Sequence, residues 1–373
     1  MAKILVLGAG MVGRAMAADL CGNHTVTSAD INPDNLKLLA KYNVSTIEAN
    51  LGDKTKLKAL ISDYDLIVGA VPGFMGYETV KTCIESGKNI IDISFFPEDS
   101  LTLDALAKEN NVTAIVDCGV APGMSNLIIG YHHKRMIVED FRCYVGGLPF
   151  KRDFPFQYKA PFSPIDVLEE YTRPARYVEN FNLITKPALS DTEYISFDEV
   201  GTLEAFNSDG LRTIIDTVKA RNMIEKTLRY PNHIEYIQVL KGAGFFSTDE
   251  IEINGIKTNP MAFTSKILFD KWKLRDEDDE FTIMRIIVAG NEDGKHVQYT
   301  YDLFDRRDKA SGISSMSRTT GYACTAAVEM FLSGLFTKKG VFPPELIGDD
   351  ENCFNYIIDY QKQRGINYRV TKV

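Results

Sequence analysis

The residues that most plainly carry chemistry are Gly8-Ala9-Gly10-Met11-Val12-Gly13, which close the apolar run KILVLG (3–8) and open a helical pattern. A strand, a glycine-punctuated turn and a helix N-terminus make a receptor for a pyrophosphate. Gly8 serves the tight turn, Gly10 lets main chain approach the anion, and Gly13 lets helix and strand touch. Met11 and Val12 lead into the helical pattern, whose N-terminal open N–H groups and positive dipole end favour a negative group. Asp30 ends the second strand pattern, 17 positions beyond Gly13. A carboxylate there accepts hydrogen bonds from both adenosine ribose hydroxyls and repels a 2′-phosphate, so the expected cofactor is NAD rather than NADP. The competing reading of Asp30 as a helix cap before Pro33 is weakened by Asn32 and Asp34, which serve equally well as caps.

Further candidates sit at the ends of other apolar runs. Asn50-Leu51-Gly52-Asp53 is read either as an adenine contact through Asp53 or as a helix cap, and both stay open. Ala70-Val71-Pro72 is expected to pass under the pyrophosphate, with a plain turn as the other reading. The stretch VDCGVAPGMSN (116–126) puts an acid and a Gly-Pro-Gly loop where a strand ends. Ser94, Asp117 and the loop Gly119 to Gly123 should converge beside the nicotinamide. Gly119 and Gly123 let main chain approach a flat ring, and Pro122 fixes the exit.

These positions make sense only on a particular frame. Apolar runs at 3–8, 24–30, 44–50, 65–71, 89–94 and 113–119 alternate with helical patterns at 13–21, 33–42 and 77–87. Strands without a polar face, separated by helices, imply a parallel sheet covered on both sides: an α/β, doubly wound Rossmann arrangement. Past about residue 125 the texture becomes aromatic-rich and strand-like. It ends in a hairpin at 281–304 around NEDGK, so a second α+β domain with a mixed or antiparallel sheet is expected. Residues 319–335 have helical spacing and small apolar side chains suited to packing back on the first domain, with a tail helix at 351–363.

At 373 residues the chain exceeds one ordinary core, and 45% apolar with 25% charged residues is a globular composition. A net charge of −9 argues against sequence-independent binding of phosphate backbones, so nucleic acid is not an expected partner. Six scattered cysteines without a CxxC pair suit a reducing compartment. No apolar run has the length of a membrane span, and the first apolar run does not read as a signal peptide. A cytoplasmic location is expected. The five histidines (24, 132, 133, 233, 296) and the cysteines offer no ligand spacing, so no metal is expected. The acidic run RDEDDE (275–280) reads as a solvated loop.

Taken together, GAGxVG, DxGVAPGMxN (117–126), YVGGLP (144–149), GTLEAFNSDG (201–210), KTLRYPNH (226–233) and GVFPPE (340–345) resemble the saccharopine dehydrogenase-like family over nearly the whole chain. Within that family the chain looks most like the lysine 6-dehydrogenases. The resemblance implies an NAD-binding Rossmann domain formed by 1–124 plus 318–373. It also implies an α+β substrate and dimerisation domain at 125–317, a homodimer or dimer of dimers, and oxidation of a C–N bond in a lysine-derived amine. Glutamate-forming saccharopine reductases carry Ser-Tyr where this chain has Ser94-Phe95, and Asp where it has Ala121. A pocket missing two polar partners should reject saccharopine's glutamyl arm, which favours lysine or another small diamino acid.

Oxidising an amine needs a neutral amine, a proton acceptor and a C–H directed at the nicotinamide. Asp117 is read as ion partner or base, or else as a brace for its own loop. Arg229 is read as a clamp on the substrate α-carboxylate, or else as a strand salt bridge. Thr227 and Tyr230, in the same segment, join Ser94, Phe95 and Ala121 as expected substrate contacts. His132 and His133 are placed at a surface or domain interface in preference to acid–base work, and Arg318 is left equally open. The rival functions are a saccharopine or carboxynorspermidine-type dehydrogenase and, in another class, a non-catalytic NAD sensor.

Overall fold

β1 (Lys3–Leu7), β2 (Thr25–Asp30), β3 (Val44–Glu48), β4 (Leu66–Gly69), β5 (Ile90–Asp92) and β6 (Thr113–Ile115) correspond to the six expected runs. They pair in parallel in the order β6-β5-β4-β1-β2-β3. The structure is a computed structural model that describes every residue except positions 276 and 277, and the backbone alone at 164 and 165. Side-chain alternation splits β1 between two cores. Ile4 and Val6 join one apolar cluster and Leu5 and Leu7 another, as expected for a strand buried on both faces. The order reverses between β1 and β4, which opens the ligand-binding crevice of a doubly wound sheet at the carboxyl ends of these strands.

The second sheet is built from β7 (Ile137–Pro149), β8 (Ala175–Glu179), β9 (Asn182–Lys186), β10 (Glu193–Phe197), β11 (Gly201–Asn207) and β12 (Asn222–Arg229), with β13 (Ile251–Ile253) and β14 (Ile256–Thr258) forming a separate small hairpin. β15 (Glu280–Glu292) and β16 (Lys295–Arg306) complete its centre. β12 runs parallel to β7 while the other pairings are antiparallel, so the sheet is mixed. The hairpin turn is shorter than NEDGK. Only Asp293 (φ 52°) and Gly294 (φ 82°) leave the strands, the double positive φ of a two-residue turn that matches strand twist.

The C-terminal segment divides between the sheets. β17 (Gly340–Phe342) adds in parallel to β6 as the seventh strand of the first sheet, as a returning segment requires. β18 (Tyr368–Lys372) instead pairs with β16 at the edge of the second sheet, which departs from the expectation that all of 318–373 belongs with the first. Its five residues are mostly exposed and polar, and such a run has no apolar pattern to announce an edge strand.

The late helix spans Ser315–Leu332, starting four residues before the expected 319, because Ser314 caps it by accepting from Ser317 N. Its small residues pack Gly321 against Ala15 and Met16 of the helix Met11–Leu20. Its apolar face and the helix Met124–His133 fill the space between β1 and β4 on one side and β15 and β16 on the other. The acidic run is not simply solvated: Asp276 and Glu277 lie outside the described residues, but Glu280 is buried, accepts from Ser315 N and is pushed up to about 7 by burial. All six cysteines are unbridged, and among the described residues no helix is long and apolar enough to cross a membrane.

Asp19 ties the C-terminal helices to the first sheet. It accepts from Thr325 Oγ1 at 2.6 Å, Tyr360 Oη at 2.7 Å and Arg364 Nε at 2.7 Å. Truncating a shared, mostly buried acceptor strands three donors, so Asp19→Ala is expected to lower the unfolding free energy by roughly 2–4 kcal/mol in a denaturant titration. A change within about 0.5 kcal/mol contradicts this role.

Candidate active site

The turn after β1 has the geometry of an anion receptor. Gly8 takes φ +112°, and a Cβ there would come within 2.5 Å of Ala70 O, so both conformation and space demand glycine. Gly10 differs: its φ is −62° and a Cβ there would meet no protein atom within 4 Å. Nothing inside the protein requires glycine at this position. The open volume above it, at the uncapped N-terminus of Met11–Leu20, is the space a pyrophosphate needs. Asp30 steadies the turn by accepting from Ala9 N at 2.6 Å and from Asn32 N at 2.7 Å, one bond per carboxylate oxygen. Each oxygen keeps a second lone pair for a ribose hydroxyl.

A cleft of about 1920 Å³ runs from this turn to the second sheet. Gly8, Gly10, Met11, Val12, Gly13, Asp30, Ala70, Val71, Pro72 and Gly119 all line it, together with Ser94, Phe95, Ala121, Thr227 and Arg229. Three expected contacts are elsewhere. Asp53 caps the helix Lys54–Ile61 through Thr55 N and Lys56 N, the reading held open against an adenine contact, while Asn50 and Leu51 reach the cleft. Tyr230 is turned away, its hydroxyl donating to Pro149 O at 2.9 Å. Asp117 is fully buried behind the wall and pairs with Arg212 Nε at 3.2 Å.

That pair anchors the far end of the cleft. Asp117 (φ 52°) ends the turn after β6, and Arg212 (φ 56°) lies in the segment after β11, both in the left-handed region that non-glycine residues rarely occupy. The Arg212 guanidinium also lies over the rings of Phe95 and Phe96, at 5.1 and 5.5 Å. Burial raises the Asp117 carboxyl above its usual range, and Arg212 opposes the rise. Ser94 completes this end, donating through N and Oγ to the buried Asp92, which burial lifts to about 7.

Arg229 lines the cleft but its donors are committed: Nε to Tyr171 Oη (3.0 Å), Nη1 to Leu228 O (2.9 Å) and Nη2 to Glu170 (2.6 Å). A clamp so largely engaged by its own protein is a poor receptor for a substrate carboxylate. His132 donates or accepts with Tyr301 Oη at 2.7 Å and burial depresses it to about 4, which removes it from acid–base work. His133 and Arg318 do not line the cleft either; Arg318 pairs with Asp305.

Sequence reasoning missed a set of charged residues on the substrate side. Asp166, Glu169, Glu170, Arg173, Asp209 and Glu225 all line the cleft. Three of the acids are paired: Glu169 with Arg173, Glu170 with Arg229 and Asp209 with Arg176. Asp166 and Glu225 make no ion-pair contact among the described residues, and burial raises both, Glu225 to about 8, with Arg173 and Arg212 opposing the rise from a distance. A carboxylate inside the strand NMIEKTLR was the one available signal for Glu225. The charged end of the helix Pro164–Thr172 reads as ordinary solvated surface.

Comparison with known proteins agrees with this architecture. The family described as "Saccharopine dehydrogenase NADP binding domain" matches residues 4–115, and "Saccharopine dehydrogenase C-terminal domain" matches residues 119–366. A mouse (Mus musculus) relative, the mitochondrial alpha-aminoadipic semialdehyde synthase, is 24% identical over 92% of this chain, which spans only 45% of that protein's length. Carboxyaminopropylagmatine dehydrogenase of Synechocystis sp. is 24% identical, covering 94% of both chains. The solved apo saccharopine dehydrogenase (L-Glu forming) of Saccharomyces cerevisiae shares the fold with a TM-score of 0.80 at 18% identity, covering 100% of both chains.

The buried carboxyls make stability pH-dependent with a definite sign. Groups raised by folding contribute stability that is complete below the ordinary carboxylate range and is lost as pH rises through about 7 for Asp92, Glu280 and Glu345 and about 8 for Glu225. His132 and His233, depressed to about 4 and about 3, act only below the ordinary histidine value. Above it the carboxyls alone act. The unfolding free energy measured in urea should therefore fall between about pH 6.5 and pH 8.5, by up to roughly 1.4 kcal/mol per pH unit for each proton held only by the folded state. A flat or rising profile contradicts the burial of neutral carboxyls.

Proposed function

The chain belongs to the saccharopine dehydrogenase family, and from that premise we propose that it is an NAD-dependent dehydrogenase acting on the C–N bond of a cationic amine, with the side-chain amine of L-lysine as substrate. The observation that carries this reading is the charge balance of the substrate end. Once the direct ion pairs are cancelled, two carboxyl groups on the wall, Asp166 and Glu225, are left without an ion-pair contact among the described residues, with Arg173 and Arg212 acting on them only from a distance. Such carboxyls ionise against an arriving ammonium group, which favours their charged form, and disfavour a substrate rich in carboxylates. Phe95 and Ala121, which also line the cleft, add apolar surface where saccharopine's glutamyl arm would need polar partners.

The turn at Gly10 and the Asp30 carboxylate are the residues that would hold the dinucleotide. Bound there, it supplies a two-electron hydride acceptor. The protein's own part is to position the amine, exclude bulk water and manage protons. Two second readings have specific support. The acid wall also suits a polyamine-type substrate, as the name of the Synechocystis relative suggests. NADP is favoured by Lys37 and Lys41, which line the adenosine end of the cleft near Asp30; against this, Lys37 is already paired with Asp34 and Lys41 with Ser311 O.

Formation of reduced nicotinamide, followed by absorbance with NAD and with NADP, tests the proposal against lysine, ornithine, agmatine and saccharopine. Turnover with NAD and lysine is expected. Turnover with saccharopine alone overturns the substrate choice, and binding of NAD without turnover of any amine favours the sensor reading. Asp30→Asn is expected to narrow the preference for NAD over NADP by about tenfold or more, a change of roughly 1.4 kcal/mol in relative affinity; an unchanged ratio contradicts the role given to this carboxylate.

A further inference from the structure

We propose that the substrate is held by its two poles, Arg173 Nη1 receiving the α-carboxylate and the Glu225 carboxyl group receiving the proton of the amine to be oxidised, an assignment that rests on the amine-dehydrogenase reading above.

Glu225 is singled out by elimination along the wall. Asp30 is engaged by Ala9 N and Asn32 N, Glu169 by Arg173, Glu170 by Arg229 and Asp209 by Arg176. Asp166 is held by Ser163 and Gly73 N, and Asp270 is exposed. Among the described residues that line the cleft, Glu225 is the buried carboxyl left without a hydrogen bond or ion pair, at 4% exposure. Its placement is enforced. Glu225 sits in β12 opposite Cys143 of β7, and its carbonyl accepts from Tyr177 Oη at 2.9 Å. A Cβ at Gly210 would overlap its carboxyl group, so glycine there keeps the space open.

Arg173 has the complementary lack. It ends the helix Pro164–Thr172 just before Pro174 with extended backbone, sends Nη2 to Glu169 at 3.1 Å and lies over the Phe95 ring at 4.9 Å. Its Nη1 is buried without a hydrogen-bond partner among the described residues. An orphan cationic donor and an orphan carboxyl on one cleft match an amino acid with a distal amine, and they reassign to Arg173 the clamp expected of Arg229.

The groups facing Glu225 are Asp209 after β11, Glu170 on the helix Pro164–Thr172, Asp117 after β6, Tyr177 on β8, Cys143 on β7 and the cation Arg212. Burial, with Asp209 and Glu170, pushes the free carboxyl up to about 8, so it is mostly protonated in the free protein near neutrality. An arriving ammonium displaces that proton to solvent by favouring the charged form. The ionised carboxylate then takes one proton from the ammonium. The nitrogen lone pair forms a C=N bond as the adjacent C–H leaves as hydride to the nicotinamide dinucleotide. Water adds to the resulting iminium ion, giving aldehyde and ammonium, so the sum is amine cation, oxidised coenzyme and water to aldehyde, ammonium, reduced coenzyme and one proton.

Calorimetry on the protein loaded with reduced coenzyme, which cannot accept a hydride, at neutral pH in two buffers of different ionisation heat counts protons released on binding lysine and cadaverine, which lacks the carboxylate. Release of about one proton per lysine is expected, lost in Glu225→Gln. Arg173→Leu should weaken lysine by about tenfold or more and cadaverine by less than about twofold. Unchanged coenzyme affinity in each variant checks the fold. Equal proton release in Glu225→Gln, or equal weakening of both amines by Arg173→Leu, overturns the assignment. In the parent protein, carbon-13 NMR should find one glutamate carboxyl titrating near pH 8 that moves to lower pH with lysine; its absence also overturns it. If neither amine binds while the coenzyme does, the amine-dehydrogenase reading itself falls.

Discussion

The buried ion pair between Asp117 and Arg212 is the constraint on which the rest of the cleft depends. Asp117 belongs to the turn that leaves the first sheet and Arg212 to the segment that leaves β11 of the second, so this contact of 3.2 Å joins the two frames behind the cleft wall, beside the apolar cluster they share. Both residues sit at positive φ and both are nearly inaccessible, a conformation held only where surroundings over-determine it. Burying two charges is expensive, and the pair is retained here by geometry and by the rings of Phe95 and Phe96 against the guanidinium. Without Arg212, Asp117 would be one more uncompensated acid in a region already crowded with them.

That crowding defines the electrostatics of the site. Asp92, Asp117, Glu225 and Glu345 are all buried, and each is raised above the ordinary carboxylate range by loss of hydration. Protons, rather than counter-cations, neutralise much of this charge near neutrality. A site arranged so can exchange protons with an arriving amine at little cost in solvent reorganisation. The glycine turn at the other end has the opposite character, offering dipoles and open space to an anion. One cleft thus has an uncapped helix N-terminus with open space at one end and buried, proton-holding carboxyl groups at the other.

Much of the frame was legible in the residues. β1, β4, β5 and β6 announce themselves because strands buried on both faces need apolar runs, β2 and β3 follow from their place in the alternation, and the tail helix at Glu351–Gln363 follows from its spacing. β18 was not legible, since an exposed edge strand of five mostly polar residues, its valine included among the exposed ones, obeys no burial pattern. At the site, the glycine turn and Asp30 could be read because local geometry dictates residue type there. Asp117 was found, but its role stayed open between base, ion partner and brace, because its partner lies 95 positions away in the chain. Arg173, Arg212 and Glu225 escaped for the same reason: their significance lies in which charges remain unpaired, and pairing is a property of the folded chain.

A crystal structure with NAD and lysine bound tests the central claim most directly. The account predicts diphosphate above Gly10, ribose hydroxyls on Asp30 and the amine within the acid wall, with the Asp117–Arg212 pair intact behind it. A dinucleotide bound elsewhere, or a ligand carboxylate that displaces Asp117 from Arg212, would contradict it.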